Sequence, residues 1–347
     1  MDSLGDGPED QDADAAALLT IESVGPYLRH RRLIDASTAV EAEFLGGGVS
    51  NVVLAARADG QSFVVKQSLP RLRVASEWLA KRERIITEAH ALDWARGQTP
   101  DAVPTVHDLD PATFTMVIAH APPGWADWKT HLLSRDARPD VAARLGTILA
   151  AWHVAPRGNT AAAGQFDDTE AFEQLRVDPY YRAILPRYPD LAPEIMGYID
   201  RMRATRRCFV HGDFSPKNVL LGESGLWVVD FEVAHMGDPA FDLAFMHNHL
   251  LLKAIHQPDC LEGYERCAQA FWRAYRQGVG DGFGGPTAYI LGHVGCLMLA
   301  RVDGKSPAEY LTRGEQRQAR VLGRLLLGAP PANLDAAWQD VRKVLSS

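Results

Sequence analysis

The sequence predicts an α+β fold in two lobes, a small strand-rich N-terminal lobe and a larger helical C-terminal lobe. In the first third of the chain, short apolar strands flank Asp59 and Gly60, a residue pair typical of tight hairpin turns. Beyond residue 119, apolar residues recur at helical spacing. The predicted helices there include 141–153, 261–276 and 287–302. Because a strand-rich unit precedes a helical one, we expect a ligand in the cleft between them.

Composition limits the class of protein. Of the 347 residues, 46% are hydrophobic and 23% are charged, which excludes a mostly disordered chain and a disulfide-built miniprotein. Acidic residues before position 15 supply −6 of the formal net charge of −8, so residues 1–16 are predicted to form a disordered acidic tail. The remainder is nearly neutral, which argues against a nucleic-acid partner. We place the N-terminal lobe at 17–118 and the C-terminal lobe at 119–347.

The sequence also favours a cytoplasmic location. Its four cysteines form no CxxC pair, which is typical of reduced thiols. The longest nearly apolar stretches are shorter than the ~20 residues that a membrane span needs. The N-terminus carries acids in place of a basic and apolar leader. We therefore expect neither a membrane partner nor a secretory signal.

The N-terminal lobe is predicted to combine strands with one long helix. Strands are expected at 49–56 and 62–66, on either side of the turn. Helix-forming residues then run over 76–96 and end at Gly97. The last strand of the lobe is expected at 114–118. In the C-terminal lobe, a short hairpin at 219–229 interrupts the helices.

The residues that carry chemistry lie around this second hairpin. Residues 211–218 read His-Gly-Asp-Phe-Ser-Pro-Lys-Asn, and the second strand of the hairpin ends at Asp230. Since a hairpin returns the chain to its start, Asp213, Asn218 and Asp230 are expected to converge at one end. Oxygen ligands from Asn and Asp suit Mg²⁺, which takes one or two protein ligands together with nucleotide phosphates. A separate carboxylate can orient a substrate hydroxyl and accept its proton, as phosphoryl transfer requires.

This pattern resembles the catalytic-loop motif of the aminoglycoside phosphotransferase and choline kinase-like family, whose members have a protein-kinase-like fold. The resemblance implies that Asp213 is the catalytic base and that Asn218 and Asp230 bind the metal. It also implies that His211 packs beneath the loop. A second run at 237–244 resembles the GDPxxDLA segment of the family, in which Asp242 would brace the catalytic loop by hydrogen bonds.

The resemblance extends to a glycine-rich loop and a lysine in the N-terminal lobe. Backbone N–H groups of such a loop can approach phosphates where side chains are missing. The predicted cofactor-binding residues of this loop are Gly46, Gly47, Gly48, Ser50 and Asn51. Lys66 would contact the α- and β-phosphates. On the residues alone, the glycines equally suit a simple turn, and Lys66 suits an ordinary exposed lysine.

Two further parts of the cofactor site follow from the same resemblance. Lys66 needs a carboxylate to hold it, and Glu88 in the long helix is favoured over its competitor Glu83. Ile118 and His120 belong to the strand and linker that would receive adenine. The resemblance covers residues 40–305.

The sequence differs from the sequences of protein kinases, which are related to this family, at positions that bear on the substrate. Asp230 is followed by Phe and Glu, so the glycine pivot of Asp-Phe-Gly is absent, and no Ala-Pro-Glu activation segment follows. This disfavours a protein substrate. Lys217, which we count among the catalytic residues, either neutralises the transferring phosphate or excludes a cationic aminoglycoside. The polar segment 301–307 either lines an acceptor pocket or caps a helix.

The resemblance therefore implies a phosphotransferase that depends on ATP and Mg²⁺. Its partner would be a small molecule with a hydroxyl acceptor, of the amino sugar, sugar or amino alcohol class. The alternative is a catalytically silent nucleotide-binding pseudokinase or scaffold protein. The sequence does not distinguish ATP from GTP, nor does it indicate an oligomeric state.

Overall fold

A computed structural model describes residues 18–46, 50–69, 80–157, 164–280, 283 and 285–346. Its strands are β1 (Glu41–Phe44), β2 (Asn51–Ala58), β3 (Gln61–Ser68), β4 (Val106–Asp110), β5 (Thr115–Ala119), β6 (Ala126–Asp127), β7 (Cys208–Val210), β8 (Val219–Gly222), β9 (Gly225–Val228) and β10 (His235–Gly237). The predicted acidic tail lies outside the described residues, as do Gly47 and Gly48 of the glycine-rich loop.

The longer helices belong mainly to the second half of the chain. They are α1 (Ile21–His30), α2 (Arg84–Gln98), α3 (Trp128–Leu133), α4 (Pro139–Val154), α5 (Ala192–Ala204), α6 (Pro239–His256), α7 (Leu261–Val279), α8 (Thr287–Asp303), α9 (Arg313–Gly328) and α10 (Leu334–Ser346). Between α4 and α5 the chain forms shorter helical pieces, including a π-helical turn at Glu173–Val177. In the part of the chain that the structure describes, no helix combines the length and apolarity that crossing a membrane requires.

Five strands form an antiparallel sheet in the order β1-β2-β3-β5-β4. The turn between β2 and β3 contains Asp59 and Gly60 with φ values of 52° and 76°, the left-handed conformation that a tight hairpin favours. The first strand of this hairpin ends at Ala58, two residues beyond the predicted end. In the register of the sheet, Lys66 lies opposite Met116 of β5. The predicted α+β class is confirmed.

Two buried clusters hold the fold together. One lies between α1 and the sheet and includes Leu28 and Leu54. The other joins α2 and β5 to the helices of the C-terminal lobe, through residues such as Ile85, Met116 and Trp152. The second cluster is continuous across residue 118, where we placed the boundary between the lobes. The bounds of the two lobes therefore remain a prediction.

The long helix of the N-terminal lobe begins later than the sequence predicted. Of the predicted range 76–96, residues 76–79 lie outside the described residues, and 80–83 precede the first helical residue, Arg84. The Arg84 guanidinium donates to the carbonyl oxygens of Ala80 and Lys81, at 3.2 and 2.6 Å. Because a charged side chain satisfies these carbonyls, they need no helical N–H partner.

The same helix also continues past its predicted stop. It runs through Gly97 to Gln98, and a Cβ added at Gly97 would meet nothing within 4 Å. Thr99 then adopts a φ of −141°. Pro100 follows it, and the residue before a proline is disfavoured in helical conformation. The proline therefore explains the end of the helix better than the glycine does.

The helices α4 and α7 pack closely against each other in the C-terminal lobe. A Cβ added at Gly146 of α4 would collide with the carbonyl oxygen of Phe271 and lie 3.0 Å from the backbone nitrogen of Tyr275. Gly197 of α5 is also helical, but a Cβ there would meet nothing within 4 Å. Close packing therefore requires glycine at position 146, whereas position 197 has room for a side chain.

We expect Gly146→Ala to lower the free energy of unfolding by about 1–3 kcal/mol, because overpacking outweighs the better helix propensity of alanine. Gly197→Ala is the matched control and should raise it by up to about 1 kcal/mol. Urea unfolding measures both values. A stabilised Gly146→Ala variant would contradict the packing described here.

A buried carboxylate in α6 braces the loop that follows β7. Asp242 accepts hydrogen bonds from the backbone N–H groups of His211 and Gly212, each at 2.8 Å. Burial alone would raise the pKa of Asp242, but the hydrogen bond with His153 and the donors of the loop lower it below its usual range. The ionised carboxylate therefore stabilises the folded loop.

Asp242→Asn should lower the free energy of unfolding by about 2–3 kcal/mol at neutral pH, because a charged acceptor of two buried N–H groups is lost. A carboxylate with a lowered folded pKa stabilises above its unfolded pKa of about 4 and loses that contribution as the pH falls through the folded value. The difference from wild type should therefore shrink below about pH 4.

Asp190→Asn is the control for this experiment, because Asp190 is an exposed partner of Arg324 and should cost less than about 1 kcal/mol. Denaturant unfolding as a function of pH measures the effect. A difference between wild type and Asp242→Asn that stays constant down to pH 3 would refute the role of the ionised carboxylate.

Candidate active site

The loop between β7 and β8 presents Asp213 from a rigid backbone. Gly212 has a φ of 77°, and a Cβ there would lie 2.7 Å from the side chain of Val233, so glycine is required. The Nδ1 atom of His211 accepts the backbone N–H of Asp213 at 3.0 Å, and its Nε2 lies 3.2 Å from the carbonyl oxygen of Val229. Burial lowers the pKa of His211, so the neutral ring fits this pattern. His211 thus supports the loop from below.

Asp213 is 2% exposed and lies between two cations. Its Oδ2 atom is 2.9 Å from Lys217 Nζ and 3.0 Å from a terminal nitrogen of Arg176. Arg176 also donates to the carbonyl oxygen of Gly212 at 2.7 Å, so it orients the loop as well as the carboxylate. The sequence analysis identified Lys217 and missed Arg176. A π-helical turn carries Arg176, and no helical periodicity indicated that position.

Asn218 and Asp230 lie at the same end of the β8–β9 hairpin, where the backbone N–H of Val229 donates to the carbonyl oxygen of Asn218 at 2.9 Å. The amide nitrogen of Asn218 donates to the carbonyl oxygen of Asp213 at 3.0 Å, which leaves the amide oxygen available. Asp230 has a φ of 74°, an unusual backbone conformation for a residue other than glycine and one that often marks functional sites. Both side chains offer the hard oxygen ligands that Mg²⁺ prefers. They are therefore the candidate metal ligands at this end of the hairpin.

Lys66 joins the two lobes through carboxylates. Its Nζ lies 2.5 Å from Glu88 Oε1 in α2 and 3.1 Å from Asp230 Oδ1 beyond β9. Glu88 is therefore the partner that contacts Lys66, while Glu83 precedes the helix and is exposed. Burial alone would lower the pKa of Lys66, but the charges of Glu88 and Asp230 raise it, so the ammonium stays protonated.

The charges around Lys66 also act on the two carboxylates. Burial raises the pKa of Glu88, and the charge of Lys66 opposes that effect. For Asp230, burial is likewise the largest influence upwards, but Lys66 and Lys217 together bring the pKa well below its usual range. Asp230 is therefore ionised over the physiological range.

Glu232 connects the glycine-rich loop to the C-terminal lobe. Its Oε1 accepts a hydrogen bond from Ser50 Oγ at 3.3 Å, and its Oε2 lies 3.5 Å from Asn51 Nδ2. The buried Arg84 donates to the same carboxylate at 3.2 Å and to the carbonyl oxygen of Leu69 at 2.9 Å. Ser50 and Asn51 were predicted to bind cofactor, whereas Arg84 and Glu232 were missed.

Of the other residues that were predicted to bind the cofactor, Ile118 lies on the same face of the sheet as Lys66. Ile118 pairs with Val64, two positions before Lys66 on β3, so Ile118 and Met116 lie on the same face of the sheet as the lysine. His120 follows β5, and its ring contacts the carbonyl oxygen of Ala121 at 2.6 Å. Gly46 is exposed, and a Cβ there would meet nothing within 4 Å. Gly47 and Gly48 lie outside the described residues.

Comparison with known proteins identifies a family and several relatives for this chain. The Phosphotransferase enzyme family (APH) matches residues 41–283. Methylthioribose kinase 2 of Oryza sativa subsp. japonica is 26% identical over 269 residues, which are 69% of this chain and 62% of the relative. Methylthioribose kinase 1 of the same organism is 25% identical over 267 residues, with the same coverage. The chain thus spans less than two thirds of the length of these curated relatives.

Solved structures share the fold at low sequence identity. A choline/ethanolamine kinase family protein from Mesorhizobium loti is 19% identical, with a TM-score of 0.50, and the match covers 94% of this chain and 95% of that one. Spectinomycin phosphotransferase, solved with ADP and spectinomycin, is 12% identical, with a TM-score of 0.53 and coverage of 94% and 97%. These likenesses confirm the two-lobed kinase-like fold. Together with the family match over residues 41–283, they lead to the conclusion that the chain belongs to the phosphotransferase enzyme family.

Proposed function

We propose that the chain is a small-molecule kinase, which transfers the terminal phosphoryl group of ATP to a hydroxyl group of its acceptor. The observation that carries this proposal is the contact of Lys66 with both Glu88 and Asp230, because it joins a phosphate-binding lysine to the hairpin beside Asp213. Family membership and relatives named as kinases support the same reaction. The names of those relatives and of the similar structures favour a sugar, amino sugar or amino alcohol as acceptor.

Asp213 would be the catalytic base. Arg176 and Lys217 both approach its Oδ2, so Oδ1 is left to accept the proton of the acceptor hydroxyl. As that O–H bond breaks, the oxygen forms a bond to the terminal phosphorus, and ADP leaves with the electrons of the broken P–O bond. Lys217 lies close enough to the base to neutralise charge on the phosphoryl group, which is what this reaction requires of the protein.

Asn218 and Asp230 would hold a divalent cation, for which Mg²⁺ is our proposal. Their oxygen donors fit such an ion, and the low pKa of Asp230 keeps its carboxylate ionised. When bound, the ion would neutralise phosphate charge beside Lys66. Ser50, Asn51 and the backbone of the glycine-rich loop would cover the phosphates. A cytoplasmic location also remains a prediction.

Asp230→Asn should abolish the rise in melting temperature that Mg²⁺-ATP produces in the wild-type protein, because the ionised metal ligand is lost. Asp213→Asn should keep this rise but lower acceptor-dependent ADP release by about 100-fold or more. The surface variant Asp190→Asn is the matched control and should behave as wild type in both measurements. Release across a panel of sugars, amino sugars and amino alcohols identifies the acceptor class.

Wild-type activity in the Asp213→Asn variant would show that Asp213 is not the base. If the chain binds the nucleotide but releases no ADP with any acceptor, the result would favour a catalytically silent nucleotide-binding protein. No contact described above supports that alternative separately. No binding of Mg²⁺-ATP at millimolar concentration would refute both functions.

The pairing of Lys66 yields a second test. Glu88→Gln should weaken Mg²⁺-ATP binding by about tenfold, because Lys66 loses the charge that holds it in place. Glu83→Gln is the matched control, since Glu83 is exposed five positions earlier, and it should leave the dissociation constant unchanged. Isothermal titration calorimetry measures both values. Equal effects of the two variants would contradict the assignment of Glu88.

A further inference from the structure

We propose that Arg84 is a positioning residue for nucleotide binding, which holds the end of the glycine-rich loop and the start of α2 in place before the nucleotide arrives. The inference rests on the proposed function and deepens it, because the glycine-rich loop and Glu88 belong to the proposed nucleotide site. It starts from the number and the origin of the hydrogen-bond acceptors around one buried guanidinium group.

Every N–H group of the Arg84 guanidinium has an acceptor. Its Nε donates to Glu232 Oε2 at 3.2 Å. The two terminal nitrogens donate to four backbone carbonyl oxygens, which belong to Ala80, Lys81, Leu69 and Ser50. The first three of these distances are 3.2, 2.6 and 2.9 Å. Because a guanidinium group has five N–H donors in a fixed plane, this side chain has no donor left for a further partner.

The acceptors come from separate parts of the chain. Ser50 lies at the end of the glycine-rich loop, directly before β2, and Leu69 directly follows β3. Ala80 and Lys81 precede α2. Glu232 belongs to the C-terminal lobe. One side chain therefore joins the open end of the β2–β3 hairpin, the start of α2 and the opposite lobe.

Three residues form a closed ring of contacts at the end of the glycine-rich loop. Arg84 donates to the carbonyl oxygen of Ser50 and to one carboxylate oxygen of Glu232. The other carboxylate oxygen accepts a hydrogen bond from Ser50 Oγ at 3.3 Å. The carbonyl oxygen of Ser50 also accepts the backbone N–H of Leu69 at 3.0 Å. Ser50 is thus held through both its backbone and its side chain, which lowers the entropy that nucleotide binding has to remove.

Arg84 also acts on the position of Glu88. Arg84 is the first residue of α2, and Glu88 lies one turn later on the same side of the helix. Glu88 Oε1 is 2.5 Å from Lys66 Nζ. Because Arg84 fixes the start of α2, it fixes the helix that presents Glu88 to the lysine. Loss of Arg84 would therefore disturb both the loop and the lysine of the proposed phosphate site.

Burial excludes Arg84 as a direct ligand of the phosphates. Its side chain is 0% exposed, and its N–H groups already have acceptors. Arg84 therefore acts through the groups that it holds, Ser50 and Glu88, and not by contact with the nucleotide.

Calorimetric titration of Mg²⁺-ATP into the full chain tests this role. Arg84→Met should raise the dissociation constant by about tenfold or more, because the nucleotide must then order the loop and Glu88 as it binds. Arg84→Lys keeps the charge but donates from a single nitrogen, which cannot reach acceptors in several parts of the chain. This variant should bind at least about threefold more weakly than wild type.

A matched control lies at the other end of the same helix. Arg96 donates to the carbonyl oxygen of Pro100 at 3.5 Å. Arg96→Met removes the same charge from α2 as Arg84→Met does, but it leaves the loop and Glu88 in place. It should therefore leave the dissociation constant of Mg²⁺-ATP unchanged.

The stoichiometry of the same titration separates positioning from a loss of folding. A variant that merely folds poorly has fewer binding sites per chain, each with the wild-type dissociation constant. A variant with a misplaced loop keeps one site per chain and binds more weakly. Should Arg84→Met fail to fold because Glu232 loses its cation, the double variant Arg84→Met with Glu232→Gln removes both charges. It too should bind at least about threefold more weakly than wild type.

Several outcomes would overturn the proposal while leaving the kinase function in place. Wild-type affinity in Arg84→Lys or in the double variant would mean that Arg84 merely neutralises Glu232. Fewer sites with the wild-type dissociation constant in Arg84→Met would assign the residue a structural role alone. In each case the wild-type chain still binds Mg²⁺-ATP, whereas the absence of that binding in wild type would refute the kinase function itself.

Discussion

The site depends most on the ammonium group of Lys66, where elements of both lobes meet one charge. Glu88 approaches the ammonium group from α2. Asp230, whose own backbone is strained, approaches it from just beyond the end of β9. Breaking a buried ion pair by removing one partner costs about 3–5 kcal/mol, because the other charge is left uncompensated. The position of the sheet relative to the β8–β9 hairpin is therefore tied to a local balance of charge.

The buried carboxylates near this ammonium each face a cation. Glu88 is paired with Lys66, and Glu232 is paired with the buried Arg84. Because α2 carries both Arg84 and Glu88, one helix contributes to both ion pairs. The two pairs therefore fix the position of α2 relative to the segment that contains Glu232.

Sequence analysis predicted the local features of this chain better than its long-range contacts. The hairpin at Asp59 and Gly60 was predictable because its conformation depends on two adjacent residues. The contact of Arg84 with Glu232 joins residues 148 positions apart, and nothing near either residue indicates the other. Arg176 lies in a π-helical turn, whose spacing moves side chains off the face that a helical pattern predicts. The missed residues are thus those whose contacts depend on tertiary structure.

Glu232 occupies the position of the glycine that follows Asp-Phe in protein kinases. A glycine there lets the segment pivot, whereas Glu232 accepts hydrogen bonds from Ser50 and Arg84 and so fastens the segment to the opposite lobe. Asp230, two residues earlier, keeps a left-handed backbone that costs about 1–3 kcal/mol and persists only where its surroundings enforce it. The contacts of Glu232 on one side and of Lys66 on the other supply that enforcement. Glu232 and Lys66 therefore hold Asp230 in this conformation from opposite sides.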